Sequence, residues 1–474
     1  MDTIYDKLKE YSTTDAYPFH MPGHKRQLSG DVLSDISQID ITEIDGFDDL
    51  HDPVGILKEA QDKASALYGS GESFFLINGS TCGILSAIAA CVPRGGWLMM
   101  VRNCHKSVYH AALLGGLKTI YIYPEEEKGF SFCKGIEVHQ VERAVENFSR
   151  IHPDEKISAF VLTSPTYEGV LSDVEQIAEF LHGKGIPLIV DEAHGAHFGL
   201  AHGIPENSCR AGADLVIHSL HKTLPAMTQT ALLHVNGRLV NRDKLRRFLS
   251  IYQTSSPSYV LMASIDRAVT MMRENGEEYF YDFLQRRRNL MNALQGCKKL
   301  HVYQKEGTDP CKLVISTKGS KLTGKMLYDR LRLQYDLQLE MAAGDYVVAI
   351  LTVMDTEEGF RRLAQALLEI DAATEESALS ETDEGIFVLP EARVIYTMEK
   401  ASAQEAHIWM PYEQAKGRIS GGFVFVYPPG IPLLAPGEEI LPEHIQSLKW
   451  IQKQGLSVKG IRGSRIAVFN SNIF

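Results

Sequence analysis

The chain has 474 residues, of which 44% are hydrophobic and 23% are charged, and its formal net charge is −12. This length predicts roughly two to four domains around a large buried core, which excludes a disordered chain and a small disulfide-stabilised domain. The acidic balance, without a dominant cluster of Lys or Arg, argues against a nucleic-acid-binding protein and against binding to an anionic membrane surface.

The cysteines and the amino-terminal residues indicate a reducing compartment. The seven Cys residues are odd in number and show no C-x-x-C spacing, so no disulfide framework is predicted. The first residues, MDTIYDKLKEY, are polar and helical in pattern and do not resemble a secretory signal. The clearest compact apolar run, residues 84–92, is too short to span a bilayer. We therefore expect a cytoplasmic protein without a membrane-spanning segment.

The predicted elements begin with an irregular segment over residues 1–60. Its stretch PFHMPGHKR contains two prolines and a glycine, and a helical pattern starts only after Pro53. From residue 73 to residue 235, short apolar strands alternate with helices. Such continuous apolar strands predict an α/β fold with a mostly parallel sheet covered on both faces. Ligands bind to sheets of this kind at the carboxyl ends of the strands.

The rest of the chain has a different pattern. A long helical stretch follows the last of these strands, then a smaller α/β unit, then a polar, acidic stretch at 375–385 that is typical of a linker. The carboxyl-terminal part combines short strands with turns rich in Pro and Gly. The predicted division is an amino-terminal segment at 1–60, a large domain with a connector helix at 61–297, a small α/β domain at 298–374 and a carboxyl-terminal domain at 386–474.

A lysine follows one of the predicted buried strands. The segment SLHKTLPA, residues 219–226, comes directly after the apolar strand LVIH and contains Lys222. Burial disfavours an ammonium and lowers its pKa, which makes the amine a nucleophile suited to covalent catalysis. Ser219 and His221 beside it are hydrogen-bond donors that suit a phosphate. The alternative is an ordinary exposed lysine at the end of a strand.

An aspartate ends another predicted strand. Asp191 follows four apolar residues in PLIVDEAHGAH, so a cation such as a protonated pyridine nitrogen would stabilise its carboxylate. The alternative is a structural capping residue. The letters DEAH also resemble a helicase motif, but Met326 stands where a P-loop needs Ser or Thr, and the order of the motifs is reversed. His194 and His197 could be metal ligands, but no further ligand cluster at metal spacing supports them, so no metal is predicted.

Two further segments carry weaker signals. In FFLINGSTCGIL, a strand is followed by a turn and a helix start, so Ser80 and Thr81 are candidates for binding a phosphate at a helix N-terminus. The alternative is a simple N-cap. His105, in VRNCHKSVYH, lies between a strand and a helix and could stack on a flat cofactor ring. A capping role is the alternative for His105.

Together these residues have the order of a fold-type-I pyridoxal phosphate enzyme, and the whole chain resembles the Orn/Lys/Arg decarboxylase family. The resemblance covers nearly the full length, with motifs at both ends of the chain. The matching stretches are FHMPGHK (19–25), DITEIDGFDDLHDPVGILKEAQ (40–61), NGST (78–81), CHKS (104–107), SPTYEGVLSD (164–173), DEAHGAHF (191–198), HSLHKTLPA (218–226), QTSSPSY (253–259) and YPPGIPLLAPGE (427–438).

The resemblance implies an aspartate-aminotransferase-like fold and a role for each matching residue. Lys222 is expected to bind pyridoxal 5'-phosphate (PLP) covalently, Asp191 to hold the pyridine nitrogen, and His105 to stack on the ring. The resemblance also places His194 among the cofactor-binding residues. The expected phosphate contacts are Ser80, Thr81, Ser219 and His221, with Thr254 and Ser255 reaching the cofactor phosphate of a neighbouring subunit.

The resemblance also implies the reaction and the assembly. We expect decarboxylation of a small basic amino acid to a polyamine-pathway amine, with active sites at the interface of a homodimer. The motif FHMPGHK begins near residue 19, so the amino-terminal receiver-like domain of the large inducible bacterial enzymes is not expected, and neither are their decamers. His194 stands where those larger enzymes have tryptophan. The short form resembles biosynthetic arginine decarboxylases, which favours arginine as the substrate.

Several questions stay open from the sequence. Lys222 or His221 could return the proton to Cα. The distal charge of the substrate needs an acidic partner, for which a guanidinium would favour a bidentate carboxylate. The candidates are Glu43, Asp48, Asp49, Glu168 and Glu438. Two other functions are considered: a different PLP reaction, such as transamination or elimination, and a non-catalytic regulator that retains the fold.

Overall fold

The structure is a computed structural model, and it describes residues 3–28, 30, 32–376, 389–403, 407–427 and 430–470. The predicted linker at 375–385 therefore lies outside the described residues except for positions 375 and 376, as do residues 386–388 at the start of the predicted carboxyl-terminal domain. In the part of the chain that is described, no helix combines the length and the apolar character needed to cross a bilayer.

The helices of the described residues have the following bounds. They are α1 (Ile4–Ser12), α2 (Val32–Gln38), α3 (Ile56–Tyr68), α4 (Gly79–Cys91), α5 (Lys106–Gly115), α6 (Val138–Ile151), α7 (Val174–His182), α8 (Leu220–Thr223), α9 (Arg242–Tyr252), α10 (Tyr259–Leu294), α11 (Gly324–Gln334), α12 (Glu357–Ala373), α13 (Met398–Ser402) and α14 (Pro442–Lys453). A short 3-10 helix spans Tyr412–Gln414.

The strands are numbered in the same way. They are β1 (Glu72–Leu76), β2 (Trp97–Val101), β3 (Lys118–Ile122), β4 (Ile157–Thr163), β5 (Leu188–Asp191), β6 (Leu215–His218), β7 (Ala231–Val235), β8 (His301–Val302), β9 (Lys312–Ser316), β10 (Met341–Ala342), β11 (Tyr346–Ile350), β12 (Ile408–Pro411), β13 (Val424–Tyr427), β14 (Ile431–Leu434), β15 (Ser457–Lys459) and β16 (Arg465–Val468).

The chain divides into two compact units, each built from two segments. The first unit is Met1–Cys91 with Val174–Tyr281, and the second is Val92–Asp173 with Asp282–Phe474. The boundary falls within α10, the helix predicted as a connector. This division by compactness does not test the four predicted domain boundaries, which stay predictions.

In the first unit the strands lie in the order β1-β7-β6-β5. β5 and β6 are parallel, whereas β7 runs antiparallel to both β6 and β1. Every residue of β5, β6 and β7 is buried, because both faces of these strands are covered, as their continuous apolar sequences predict. The reversed direction of β7 was not part of the prediction.

Helix α4 lies close against this sheet because of a glycine. A Cβ atom at Gly83 would lie 2.6 Å from Cδ1 of Leu76 in β1 and 3.4 Å from Cγ2 of Ile217 in β6. A larger residue would therefore force the helix away from the strands. The close approach places the first turn of α4 beside the carboxyl ends of β1 and β6.

The second unit contains four groups of paired strands. Strands β4, β2 and β3 lie side by side and are parallel. A four-stranded antiparallel sheet has the order β10-β11-β9-β8, with α11 against β10 and β11. Towards the carboxyl terminus, β12 pairs with β16, and β13 lies between β14 and β15. Ten buried residues, among them Leu433, Leu448 and Ile466, form the core of that terminal part.

Many of the predicted elements form. The segment KLVIS is strand β9, and the long helix predicted over 260–297 is α10. The predicted α/β fold class is confirmed, because the strands from β1 to β7 alternate with helices, and those of each unit run mostly in one direction. The smaller antiparallel sheets follow in the second half of the chain, where shorter apolar runs and turns predicted a separate unit.

Candidate active site

Two neighbouring strands of the first unit end at the residues predicted to carry the chemistry. β5 and β6 pair in parallel, with Asp191 opposite Ile217. The residues that follow both strands therefore leave the same edge of the sheet. Asp191 is the last residue of β5, and Lys222 lies in the short helix α8, which begins two residues after β6 ends.

The side chain of Asp191 is buried and lies within electrostatic range of Lys222. Burial raises the pKa of Asp191, and the charge of Lys222 opposes this effect. The main-chain N–H of Ala193 donates to Oδ1 at 3.3 Å. A buried carboxyl group whose pKa is raised gains most from an additional cation. This is the environment expected for a partner of a protonated ring nitrogen.

Lys222 also contacts a histidine of the same unit. Its Nζ lies 3.1 Å from Nε2 of His194, which is 7% exposed. With Lys222 in its ammonium form, Nζ would donate to Nε2 of His194, which requires the ring proton on Nδ1. The structure thus brings together three predicted residues: Asp191, His194 and Lys222.

The residues beside Lys222 present one acceptor and one hydroxyl. Nδ1 of His221 donates to the carbonyl of Thr230 at 2.9 Å, and burial lowers the pKa of His221. In its neutral form the ring therefore presents an unprotonated Nε2. Ser219 is fully buried, and its Oγ has no hydrogen-bond partner among the described residues. A buried hydroxyl without a partner is costly, which suits it to a ligand oxygen.

The first turn of α4 holds Ser80 and Thr81. Gly79 precedes them with a φ of +73°, a value that favours glycine, and its N–H donates to the carbonyl of Gln229 at 3.0 Å. This bond ties the start of α4 to the segment that follows Lys222. Free N–H groups at the start of a helix suit a phosphate.

The predicted phosphate-binding segment at 254–255 lies beside the same turn. The N–H of Thr254 donates to Oδ1 of Asn78 at 3.2 Å, and the carbonyl of Thr254 contacts Nε2 of His51 at 2.9 Å. The side chains of Thr254 and Ser255 are exposed. Their predicted contact with a neighbouring subunit stays a proposal.

His105 belongs to the second unit, where it caps helix α5. Its ring accepts the main-chain N–H of Ser107, and its Nδ1 lies 2.8 Å from Oγ of Ser107. The capping alternative considered from the sequence is therefore present. The predicted stacking of His105 on a cofactor ring stays a proposal.

Next to Asp191 lies a buried chain of protonatable groups that the sequence reasoning missed. Oε2 of Glu192 lies 2.7 Å from Nε2 of His218, whose Nδ1 lies 3.1 Å from Nε2 of His234. Nδ1 of His234 lies 2.7 Å from Oγ of Ser73. The chain of contacts runs from Glu192, directly after β5, through β6 and β7 to β1. Its signal in the sequence is one histidine in each of the apolar strands LVIH and ALLHV.

The acidic candidates for the distal charge have different surroundings. Both oxygens of Glu438 bind the buried guanidinium of Arg102, and Oε2 also accepts the N–H of Ala435. Asp48 accepts main-chain N–H groups at the start of α3, and Asp49 accepts the N–H of His51. These three carboxylates already have structural partners.

The other two candidates are Glu43 and Glu168. Glu43 lies near Tyr259, whose pKa is raised by burial and by nearby acidic charges, Glu43 among them. Glu168 accepts a hydrogen bond from Tyr346 at 2.7 Å and lines a cavity of the second unit.

The residues of the first unit fit the cofactor that the resemblance implies. Lys222 supplies an amine, and Asp191 supplies a buried carboxyl group that a cationic ring nitrogen would stabilise. The unpartnered Oγ of Ser219 and the start of α4 supply donors for a phosphate. An aldehyde, a ring nitrogen and a phosphate on one molecule match these three kinds of group.

Comparison with known proteins agrees with this geometry. The family model for the major domain of Orn/Lys/Arg decarboxylases matches residues 3–310, and the model for the carboxyl-terminal domain of the same enzymes matches residues 392–459. The chain is 35% identical over 480 aligned residues to the uncharacterized protein YaaO of Bacillus subtilis (strain 168), covering 96% of this chain and 95% of that protein.

A relative with a named activity and a solved structure extend the comparison. The arginine decarboxylase of Bacillus anthracis is 32% identical over 474 residues, with 96% of this chain and 94% of that protein covered. The crystal structure of the Francisella novicida lysine decarboxylase LdcF superposes with a TM-score of 0.83 at 18% identity, covering 99% of this chain and 81% of that chain. At that identity the superposition supports the fold alone.

Proposed function

Because this chain belongs to the Orn/Lys/Arg decarboxylase family, we propose that it is an arginine decarboxylase that uses pyridoxal phosphate. The resemblance predicted from the sequence is confirmed, and with it the class of reaction: an enzyme that removes the carboxyl group of a basic amino acid. The family favours decarboxylation over transamination, elimination and a non-catalytic role. Arginine is supported by the similarity to the arginine decarboxylase of Bacillus anthracis over nearly the full length.

The observation that carries the proposal is the placement of Asp191 and Lys222. They follow the ends of two parallel, paired strands and lie within electrostatic range of each other. Lys222 is the residue proposed to hold the cofactor covalently, with Asp191 at its ring nitrogen and His105 on its ring. Ser80, Thr81 and Ser219 are the proposed phosphate contacts, and His221 would join them through Nε2 only with a protonated ring, because its Nδ1 donates to the carbonyl of Thr230. When bound, pyridoxal phosphate supplies an electron sink for the charge left on Cα as carbon dioxide departs.

The residues of the chain divide the remaining tasks. Asp191 keeps its partner nitrogen protonated, because its buried carboxylate is stabilised only while a cation faces it. Nδ1 of His221 already donates to the carbonyl of Thr230, so a neutral His221 has no second ring proton to give. We therefore assign the return of a proton to Cα to Nζ of Lys222. His194, which accepts from Nζ, holds that amine in place.

The compartment and the assembly are part of the same proposal. None of the seven cysteines forms a disulfide, which supports the cytoplasm as the compartment. Five apolar side chains among the first 54 residues are more than 60% exposed: Tyr17, Phe19, Met21, Val32 and Val54. Exposed apolar surface is typical of protein interfaces, which supports a homodimer. Sedimentation analysis of the purified protein would contradict the homodimer if it found only monomers at micromolar concentration.

The test is to supply the full chain with pyridoxal phosphate and, separately, arginine, lysine or ornithine labelled at the carboxyl carbon. We expect labelled carbon dioxide from each active substrate, the highest kcat/KM with arginine, and agmatine as the amine found by mass spectrometry. A higher kcat/KM with lysine or ornithine would contradict the choice of arginine. Formation of a keto acid instead of carbon dioxide would contradict decarboxylation.

Replacing the proposed covalent residue tests the chemistry itself. Lys222→Ala should abolish turnover and the absorbance band of the covalently held cofactor. The matched control is Lys184→Ala, which removes an exposed lysine of the same unit and should leave both unchanged. Decarboxylation by Lys222→Ala at a rate near that of the unmodified enzyme would exclude the proposed role of this amine.

A further inference from the structure

The second unit contains a cavity of about 460 Å³. Its walls come from the segments that follow β2, β3 and β4, from the turn between β10 and β11, and from α14. All of its lining residues belong to the second unit. A cavity of this volume is within the range of small-molecule sites, about 300–1,000 Å³.

The charged side chains that line this cavity are all acidic. Four carboxylates line it, and none of its described lining residues is Lys, Arg or His. The charge of Lys312, which does not itself line the cavity, acts on one of them, Glu168. Burial raises the pKa of Glu168 even against the charge of Lys312, so a further cation would stabilise its carboxylate, and a partly enclosed surface lined by acidic side chains attracts cations. The carboxylates belong to Glu126, Glu168, Glu391 and Glu443.

The remaining walls are apolar and aromatic. The rings of Tyr123, Phe132, Tyr346 and Trp450 line the cavity, together with aliphatic side chains such as Met341. Aromatic faces attract ammonium and guanidinium groups, and apolar walls bury methylene groups. A hydrated metal ion would use neither property. The combination suits a cation attached to an alkyl chain.

Two polar groups of the cavity point to the same ligand class. Oε1 of Glu168 accepts the hydroxyl of Tyr346 at 2.7 Å, and burial raises the pKa of Glu168, so a cationic ligand would restore its charged form. The Oδ1 atom of Asn103 is buried and accepts no hydrogen bond within the part of the chain that the structure describes. An N–H donor of the ligand would satisfy it.

We propose that this cavity binds an alkyl amine through its ammonium or guanidinium group, with Glu168 as the main ionic contact. The same chemistry occurs in a free aliphatic polyamine and in the side chain of a basic amino acid. The proposal rests on the cavity itself and not on turnover. Its failure would therefore leave the proposed decarboxylation untouched.

The test is isothermal titration of the full chain with spermidine as the probe and 1,8-octanediol as the uncharged control. We expect saturable binding of spermidine that weakens with ionic strength, and no binding of the diol. Glu168→Gln should raise the dissociation constant about tenfold or more, because it removes a charge-assisted bond while keeping an acceptor for Tyr346. Glu146→Gln, on the exposed face of α6, removes the same charge outside the cavity and should leave binding unchanged.

A second variant and a competition complete the test. Glu443→Gln, in the first turn of α14, should also weaken binding, and it keeps the proposal testable if Glu168→Gln does not fold. Displacement of spermidine by arginine would identify the substrate side chain as the occupant, whereas binding unaffected by arginine would identify a free polyamine. Equal affinity of the unmodified chain and of both cavity variants would overturn the proposal, as would equal binding of the diol.

Discussion

The guanidinium of Arg102 and the carboxylate of Glu438 form a bidentate, fully buried ion pair, with both N–O distances at 3.0 Å. Arg102 also donates to the hydroxyl of Tyr109 and to the carbonyl of Leu433. The pair thus joins the end of β2 to β14 within the second unit. Its atoms are already bound to one another, so Glu438 serves the fold and not the distal charge of a substrate.

Breaking this pair should destabilise the protein strongly. Arg102→Met leaves the carboxylate of Glu438 buried without a cation, for which we expect a loss of about 3–5 kcal/mol in the free energy of unfolding. Urea denaturation at one fixed protein concentration measures it. Glu413→Gln, which breaks the exposed pair with Lys449, is the control and should have little effect. A small loss for Arg102→Met would contradict the structural role.

Ser219→Ala should lower the affinity for pyridoxal phosphate without lowering the stability of the apoprotein. Its buried Oγ has no partner among the described residues, so the variant loses no described hydrogen bond of the protein. A bond to a charged phosphate is worth about 1.5–3 kcal/mol, so the dissociation constant of pyridoxal phosphate should rise about tenfold or more. Absorbance titration of the apoprotein measures this constant.

Ser86→Ala is the matched control for that prediction. Oγ of Ser86 is likewise buried, and none of the described residues bonds to it, but it lies in the interior of α4 and away from its first turn. We expect unchanged affinity for the cofactor. If both variants bound pyridoxal phosphate like the unmodified chain, Ser219 would not be a phosphate contact.

Glu192→Gln should change how stability depends on pH. Burial raises the pKa of Glu192 from 4.5 to about 8, against the opposing bonds from Ser208. The folded chain therefore holds a proton that the unfolded chain releases, and stability falls as pH rises towards 8. Relative to Glu192→Gln, the unmodified protein should lose about 1.4 kcal/mol per pH unit between pH 5 and 8.

His218 also makes stability depend on pH, and its contribution must be separated from that of Glu192. Burial lowers the pKa of His218 to about 3, so its contribution to stability rises with pH up to its ordinary value near 6.5. Comparing the two proteins at each pH removes that contribution, and urea denaturation at pH 5.5, 6.5 and 7.5 supplies the difference. A constant difference across this range would mean that Glu192 does not titrate as its burial implies. The exposed Glu146→Gln variant controls for the loss of one formal charge.

Asp48→Ala should cost stability and leave cofactor binding intact. Burial alone would raise the pKa of Asp48, but N–H groups of Val54, Gly55 and Lys58 outweigh it and lower the pKa. Its carboxylate therefore stabilises the start of α3 above its ordinary pKa, and this contribution is lost as pH falls. We expect a loss of about 1–2 kcal/mol at pH 7, detected as a lower melting temperature, that diminishes below about pH 4. A loss of cofactor affinity instead would point to a role in the active site.

The strands and the residues at their ends could be predicted because each is marked by a short stretch of sequence. Apolar runs such as KLVIS identify buried strands, and a polar residue directly after such a run, such as Asp191, must lie at an edge of the sheet. The contact between Lys222 and His194 could not be predicted, because no local sequence pattern gives the distance between residues in two separate segments of the chain. The family resemblance implies roles for both residues, and the fold brings their side chains into contact.

The sequence could not show which acidic residues have partners far away along the chain. Glu438 looked as available as Glu168, because both are acidic residues in family motifs. Only the fold brings Arg102, 336 positions away along the chain, against Glu438. The direction of β7 was similarly hidden, since an apolar strand has the same pattern in either direction.

The reversal of β7 has a consequence for the position of the Lys222 amine. β6 ends at His218, which pairs with Leu232 near the start of the antiparallel β7, so residues 219–230 leave and rejoin the sheet at one edge. A parallel return would have required a long crossover with its own freedom to shift. Here two hydrogen bonds hold the segment: the carbonyl of Gln229 accepts the N–H at the start of α4, and the carbonyl of Thr230 accepts Nδ1 of His221. The register between β6 and β7 therefore fixes the position of Lys222. An insertion in residues 219–230 would move its amine even if every side chain were kept.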